Sequence, residues 1–271
     1  MKSIFKKFFF RGDNPNSGDN IKSGIPFVAN VYGVKMELNP NEYIDSSIYN
    51  GTFETDTIKA FEKLFKKDDV FFDIGANVGF YSLLAAKYLG AKGKIIAFEP
   101  TQYGYNKTLR NVSLNTFENI IVEKIALSDT NGEKEMFFNS SWPIDNKFDQ
   151  KEKSNELLAF ETLDSYVERN NIKKINLIKI DVDGFEYKIM KGAKQTLKNM
   201  APVLVLEICG YTLKRNGDSV AELINFLKEL GYRFFSEKQF KPFQNLQAEV
   251  IDNPILETSS FNIIVSKDDF N

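Results

Sequence analysis

The sequence predicts an α/β fold in which a doubly wound, mainly parallel sheet is covered by helices on both faces. Two apolar runs support this prediction, "VFF" at residues 70–72 and "KIIAF" at residues 94–98, because strands buried on both sides are apolar almost throughout. A helical pattern at residues 80–89 separates them, as the connection between two parallel strands requires. From residue 54 onward, strand and helix patterns alternate, which is typical of one α/β domain.

The other elements continue this alternation. Further strands are predicted at "NIIVEKIAL" (119–127), "NLIKIDV" (176–182), "PVLVLEI" (202–208), "YRFFS" (232–236) and "FNIIVS" (261–266). Further helices are predicted at residues 54–67, 102–115, 186–198 and 218–230. Residues 128–165 interrupt the pattern, and we expect them to form one short strand and a polar insertion.

The N-terminal part of the chain is predicted to be an extension or cap, residues 1–52, in front of a main domain of residues 53–271. Its first ten residues, "MKSIFKKFFF", lack the apolar run and the cleavage site of a secretion signal. Residues 25–53 combine a short β-element in "VANVYGVKMEL" with a polar connection. No run approaches the roughly 18 apolar residues that a membrane helix needs, so no integral membrane span is predicted.

Composition excludes several classes of function. The chain has 35 Lys and Arg against 37 Asp and Glu, a net charge of −2, which does not favour nucleic acid as a partner. It has no histidine, which removes Ser-His-Asp triads, histidine general bases and His-ligated zinc. Its single cysteine, Cys209, excludes a disulfide framework and suits a reducing compartment, so we expect a cytoplasmic location.

The loop "DIGANVG" (73–79) is the first candidate binding site, because ligands of open α/β sheets lie beyond the carboxyl ends of the strands. Gly75 and Gly79 let the backbone turn tightly and approach a ligand closely. Glu99 ends the second strand, about twenty residues later, where nucleoside-binding sites place a carboxylate for ribose hydroxyls. The loop is not G-x-G-x-x-G, so a nucleoside cofactor other than a nicotinamide dinucleotide is indicated.

Several motifs together resemble the FkbM-type family of S-adenosylmethionine-dependent methyltransferases: "DIGANVGFYSLLAAKYLGAKGKIIAFEP", "ALSD", "TLDSYV", "IKIDVDGFEYKIMKGA" and "VLVLEI". The resemblance implies a class I methyltransferase, Rossmann-like fold with seven strands, the last antiparallel, for which "FNIIVS" is the candidate. It also implies S-adenosylmethionine as cofactor. Its implied ligands are Asp73, Gly75, Asn77 and Gly79 for methionine and ribose, Glu99 for the ribose hydroxyls, Ala126 and Leu127 beside adenine, and Ser128 or Asp129 at its edge.

A second cluster lies in "IKIDVDGFE", where Lys179 and Asp181 alternate with apolar residues along a buried strand. Buried charges are costly unless they are paired or functional. We expect Asp181 to be the catalytic base or acceptor anchor, with Lys179 and Glu207 as supports, while an internal Lys179 ion pair stays an equal alternative. Similar families carry Glu at the position of Asp183, so a specific role for Asp183 is not assigned.

The predicted function is therefore O-methylation of a hydroxyl on a sugar, a glycan or a small natural product. Two alternatives stay open: Mg²⁺ held by Asp181 and Glu207 could assist the same reaction, or the chain could be a non-catalytic module that binds cofactor or glycan. Candidate acceptor residues come from the polar insertion and from the cap, and they are Ser141, Trp142, Asp145, Tyr43 and Tyr49.

Overall fold

Strands and helices alternate along most of the structure, a computed structural model that describes residues 24–139, 142–143 and 153–270. The strands are β1 (Phe27–Val31), β2 (Val34–Leu38), β3 (Val70–Ile74), β4 (Lys94–Phe98), β5 (Ile120–Glu123), β6 (Ala126–Leu127), β7 (Gly132–Asn139), β8 (Trp142–Pro143), β9 (Lys153–Glu161), β10 (Leu177–Ile180), β11 (Val203–Ile208), β12 (Arg233–Ser236) and β13 (Phe261–Ser266). The α-helices are α1 (Tyr43–Asn50), α2 (Thr55–Leu64), α3 (Phe80–Leu89), α4 (Gln102–Ser113), α5 (Leu163–Arg169), α6 (Glu186–Gly192), α7 (Lys194–Met200), α8 (Gly210–Arg215) and α9 (Val220–Glu229).

The central sheet has seven strands in the order β12-β13-β11-β10-β3-β4-β5. The pairs β11–β10, β10–β3, β3–β4 and β4–β5 are parallel, and β13 is antiparallel to both of its neighbours. The predicted α/β fold, with seven strands and "FNIIVS" as the antiparallel one, is confirmed. Because the inner strands are covered on both sides, β10 is buried at every position, which explains why all of its residues except Lys179 are apolar.

Each face of the sheet carries its own hydrophobic core. One core joins Phe72 of β3 to apolar side chains of α5, α6, α7 and α9. The other joins the adjacent residue, Phe71, to β1, β2, α1, α2 and α3. Successive side chains of a strand point to opposite faces, so neighbouring phenylalanines belong to different cores. Residues of the predicted cap thus share a core with the main domain.

The N-terminal β-element is an antiparallel hairpin in which Phe27 pairs with Leu38 and Val31 pairs with Val34. The polar connection predicted after it is wrong for residues 43–50, which form α1. Ile44 and Ile48, spaced by one helical turn, pack into the core, while the polar residues of this stretch mask the pattern. Gly51, with φ of 69°, ends this helix in the left-handed conformation.

Residues 128–165 depart most from the prediction of one short strand and an insertion. Strands β7 and β9 are long and antiparallel, and they form a four-stranded sheet in the order β6-β9-β7-β8. "NIIVEKIAL" is likewise not one strand, since β5 joins the central sheet and β6 joins this second sheet. The helix predicted at residues 186–198 is divided at Ala193 into α6 and α7.

No helix in residues 24–139, 142–143 and 153–270 has the length and apolar character needed to cross a lipid bilayer.

Candidate active site

Two adjoining clefts open at the carboxyl ends of the parallel strands, where open α/β sheets bind ligands. The first cleft has about 710 Å³ of empty volume, and it is lined by the loop after β3, the end of β4 and residues of the four-stranded sheet. The second cleft has about 1030 Å³ and reaches from the same loop to α1 and the start of α2. Both are lined by Gly75, Asn77, Asp181 and Asp183, so these residues mark where the clefts meet.

The glycines of the loop "DIGANVG" allow other segments of the protein to pack closely against the loop. Gly75 has φ of 85°, and a Cβ on it would lie 1.9 Å from the carbonyl oxygen of Asp181. Gly79 has φ of 78°, and its Cβ would lie 2.9 Å from the Thr108 side chain. The sequence predicted a close approach to a ligand, whereas the structure shows a close approach to β10 and α4. The result is that Asp181 lies directly beside the loop.

Glu99 lies in the first cleft and is held by three backbone or side-chain donors. Its Oε2 accepts from the Asn77 N–H at 2.9 Å, and its Oε1 accepts from the N–H and hydroxyl of Thr101 at 3.0 and 2.6 Å. Burial raises the pKa of the Glu99 carboxyl to about 7, although these hydrogen bonds act in the opposite direction. Gly104 leaves room for this carboxyl, because a Cβ there would lie 2.6 Å from Glu99 Cδ.

The far side of the first cleft is apolar. Ala126 and Leu127 line it, as expected for residues beside a nucleobase. Asp129 is not among its lining residues, since it forms an ion pair with Lys191 at 3.0 Å. The sequence analysis did not assign three further lining residues: Met136 on β7, where a short strand was predicted, and Leu158 and Phe160 at alternating positions of β9, where no strand was predicted.

Lys179 and Asp181 form the buried ion pair that the sequence left as an alternative. Lys179 Nζ lies 2.5 Å from Asp181 Oδ2, with its side chain 3 % exposed against 25 % for Asp181. Burial opposes ionisation of both groups, but the charge of Lys179 holds the pKa of Asp181 below its usual value, and the charges of Asp181, Glu54 and Asp73 raise the pKa of Lys179. The ammonium also lies over the Tyr81 ring, 4.7 Å from its centroid.

Asp73 is a buried carboxyl group on β3, the strand next to Lys179, and its negative charge acts on the Lys179 ammonium. It is 1 % exposed, is paired in register with Lys179 across β3 and β10, and accepts a hydrogen bond from the Ser82 hydroxyl at 2.6 Å. It is not among the lining residues of either cleft. The structure therefore places Asp73 behind the cleft wall, so its predicted contact with cofactor stays a prediction.

Glu207 lies at the end of β11 and lines the second cleft. It accepts from the Ser260 hydroxyl at 2.5 Å and is hydrogen-bonded to Asp181. Burial, followed by the negative charge of Asp181, raises the pKa of Glu207 well above its usual value, which favours the protonated form of Glu207 beside the ionised Asp181. A cation between Asp181 and Glu207 would face the ammonium of Lys179, and the described residues contain no group of three or more His, Cys, Asp or Glu side chains placed to hold a metal.

Two carboxylates of the site were not assigned from the sequence. Glu54 lines the second cleft in the left-handed conformation, with φ of 34° and ψ of 48°, and accepts from the Tyr81 hydroxyl at 2.7 Å. Asp183 also has a positive φ, of 53°, and burial, followed by the charge of Asp181, raises its pKa to about 6. Non-glycine residues rarely adopt this conformation, and such residues cluster at functional sites.

The cap residues proposed to contact an acceptor divide into two groups. Tyr43 lines the second cleft, and its ring is largely exposed. Tyr49 packs edge-on against Phe27 with ring centroids 5.2 Å apart, which makes it part of the core of the cap. Ser141 and Asp145 lie outside the described residues, as does the side chain of Trp142.

Comparison with known proteins identifies relatives of the chain. Hexuronic acid methyltransferase AglP of Haloferax volcanii is 27% identical over 154 residues, which are 56% of this chain and 61% of that protein. Methyltransferase 1 of Beauveria bassiana is 24% identical over 167 residues, which are 54% of this chain and 66% of that protein. The solved structure of methyltransferase FkbM from Methylobacillus flagellatus KT is 18% identical, with a TM-score of 0.43, and the match covers 72% of this chain and 51% of that one.

The chain thus spans 61% and 66% of the length of these two curated relatives. A family model described as the methyltransferase FkbM domain matches residues 73–234 of the 271, from the end of β3 into β12. This match covers more than half of the chain and includes Glu99, Lys179, Asp181 and Glu207. The resemblance seen in the sequence is confirmed, and the chain belongs to the FkbM methyltransferase family.

Proposed function

We propose that this protein uses S-adenosylmethionine to methylate a hydroxyl oxygen of a sugar, a glycan or a small natural product. The observation that carries the proposal is the meeting of two clefts at Asp181 and Asp183, one with the features of a nucleoside site and one open to a second substrate. Membership in the FkbM family supports methyl transfer. A relative named as a hexuronic acid methyltransferase supports a sugar-like acceptor.

The first cleft fits the adenosine part of S-adenosylmethionine. Its apolar wall at Ala126 and Leu127 suits a flat base, and Oε2 of Glu99, which accepts one protein hydrogen bond, can accept from a ribose hydroxyl. A phosphate on the ribose hydroxyls would be repelled by this carboxylate, which argues against NADP. When bound, S-adenosylmethionine supplies a methyl group that is already activated by a positively charged sulfur.

The chain's own contribution to the reaction is positioning and removal of one proton. Asp181 lies at the junction of the clefts, so its carboxylate can orient an acceptor hydroxyl toward the first cleft. The proton of an acceptor hydroxyl would become strongly acidic as its oxygen gained the methyl group that leaves the sulfur. A carboxylate with a low pKa, such as Asp181, is therefore a sufficient proton acceptor.

Lys179 and Glu207 set the ionisation and the orientation of the Asp181 carboxylate. The Lys179 ammonium holds Asp181 ionised, while the protonated Glu207 carboxyl donates to it and limits its rotation. Both groups act through Asp181, so we assign them as positioning residues.

Calorimetric titration with S-adenosylmethionine and with NAD tests the cofactor assignment. We expect S-adenosylmethionine to bind and NAD to give no heat of binding. Binding of NAD without binding of S-adenosylmethionine would contradict the proposal. The same titration on Glu99→Gln reports whether any binding uses the first cleft.

A further inference from the structure

The charge of the second cleft is one-sided. Its lining contains four carboxyl groups, of which Glu54, Asp181 and Asp183 carry the negative charge, while Glu207 is protonated beside Asp181. Among the described lining residues, Lys179 is the one cation, and it is buried and already in contact with Asp181 at 2.5 Å. Recognition of a ligand carboxylate uses Arg or Lys side chains that are available to the ligand. The described lining instead presents hydrogen-bond acceptors, which suit hydroxyl or amino groups.

Glu54 is a cleft carboxylate whose backbone has the left-handed conformation. Its left-handed backbone conformation is unfavourable for a residue with a Cβ, and it brings the side chain into the cleft at the start of α2. The described donors to this carboxylate, the Tyr81 hydroxyl at 2.7 Å and the Asn262 amide at 3.5 Å, both reach Oε2. Its Oε1 is thus the oxygen placed to accept from a ligand.

Aromatic rings form the outer part of the same cleft. Tyr43 of α1 lines it with 82 % of the residue exposed, and Phe53 lies between this helix and Glu54. Apolar rings beside a few polar groups are typical of ligand sites, and such rings can pack against the C–H face of a sugar. These residues precede the family-matched segment, residues 73–234, so this part of the cleft lies outside that segment.

We infer that the second cleft takes a sugar without a carboxylate, whose hydroxyl groups donate to Glu54 and Asp183, and that it rejects uronic acids. This inference rests on the proposed function and deepens it, because it states which sugars the acceptor site accepts. A uronic acid would place its negative charge among the cleft carboxylates, and like charges in a partly buried site repel strongly. The selectivity then differs from the one that the name of the Haloferax volcanii relative indicates for that protein.

Three sugars that differ in charge test this inference: methyl glucoside, methyl glucosaminide and methyl glucuronide. Their dissociation constants are measured by ligand-observed NMR at pH 8 on the full chain saturated with S-adenosylhomocysteine. We expect the glucoside and the glucosaminide to bind at least about tenfold more tightly than the glucuronide. Equal or tighter binding of the glucuronide would overturn the inference, and so would a failure of all three sugars to bind.

A matched pair of variants separates the effect of the cleft from general surface charge. Glu54→Gln removes one negative charge from the cleft, so the preference for glucoside over glucuronide is expected to fall by about threefold or more. Glu62→Gln is the control, because Glu62 also accepts from a tyrosine hydroxyl, that of Tyr88 at 2.8 Å, but does not line the cleft. An equal effect of both variants would contradict the role of Glu54.

Saturating the chain with S-adenosylhomocysteine separates a failure of this inference from a failure of the proposed function. If S-adenosylhomocysteine fails to bind, the assignment of the first cleft is wrong. If it binds and the sugars show no preference against the glucuronide, only the inference about the second cleft fails.

Discussion

Replacing Thr101 by valine tests whether this residue, which caps α4, also stabilises the ionised form of Glu99 that binds the cofactor. The Thr101 hydroxyl accepts from the Gly104 N–H at 3.0 Å and donates to Glu99 Oε1 at 2.6 Å. Valine keeps the branched shape but removes the donor. A hydrogen bond to a charged group is worth about 1.5–3 kcal/mol, so its loss is expected to raise the pKa of Glu99 from about 7 to about 8 or 9.

This change in pKa sets the size of the expected loss of affinity. Ribose hydroxyls donate hydrogen bonds, so S-adenosylmethionine binds best when Glu99 is ionised. At pH 7 about half of the wild-type carboxyl is ionised, against roughly one tenth to one hundredth in Thr101→Val. Apparent affinity follows the ionised fraction, so the variant should bind about 5- to 50-fold more weakly at pH 7 and within about twofold of wild type at pH 9.

The matched control is Thr162→Val, because Thr162 caps α5 in the same way and accepts from the Ser165 N–H at 3.1 Å. Loss of either cap is expected to cost about 1 kcal/mol of folding stability. Only Thr101→Val should change the affinity measured by calorimetry at pH 7. Equal affinities of the two variants at pH 7, or a loss in Thr101→Val that persists at pH 9, would refute the reasoning.

Three further substitutions test other parts of the account. Glu99→Ala removes hydrogen bonds worth about 1.5–3 kcal/mol each and should weaken S-adenosylmethionine binding in calorimetry by tenfold or more, whereas unchanged affinity would remove Glu99 from the site. Asp181→Asn should lower turnover by about 10²-fold and also lower the melting temperature, because Lys179 loses its partner. The double variant Asp181→Asn with Lys179→Met should recover the stability but not the turnover. Full activity of Asp181→Asn would contradict the role of Asp181 as proton acceptor. Gly75→Ala should lower the free energy of unfolding, measured in urea titrations, by several kcal/mol. The control Gly217→Ala should lower it by about 1–2 kcal/mol. Both glycines have φ above 80°, but only at Gly75 would the new Cβ clash with a backbone atom.

The order of strands and helices could be predicted because the buried strands are apolar almost throughout. The strands β3, which contains Asp73, and β4, which Glu99 follows, are examples, and their carboxyl ends do meet at one edge of the sheet. The helix α1 and the strand β9 were missed for one reason. Each buries a single narrow face, so polar residues dominate its sequence.

The site could be predicted only as far as its residues lie at strand ends. The contact of Glu54 with Tyr81, and its place in the same cleft as Asp181, depend on how a preceding helix packs, which a single sequence does not reveal. Thr101 was missed because a helix cap is expected there without any function. The ligand roles of the site residues, the cytoplasmic location and the absence of nucleic acid among the partners stay predictions.

Transfer of a methyl group to a hydroxyl oxygen is the central claim, and mass spectrometry tests it most directly. The purified chain is incubated with a glycan and small-molecule extract and with S-adenosylmethionine carrying a deuterated methyl group. The account predicts formation of S-adenosylhomocysteine together with an acceptor that has gained one labelled methyl group on oxygen, and loss of both products in Asp181→Asn. Binding of S-adenosylmethionine without any labelled product, in extracts from which a control methyltransferase does yield product, would contradict the claim and leave a module that only binds.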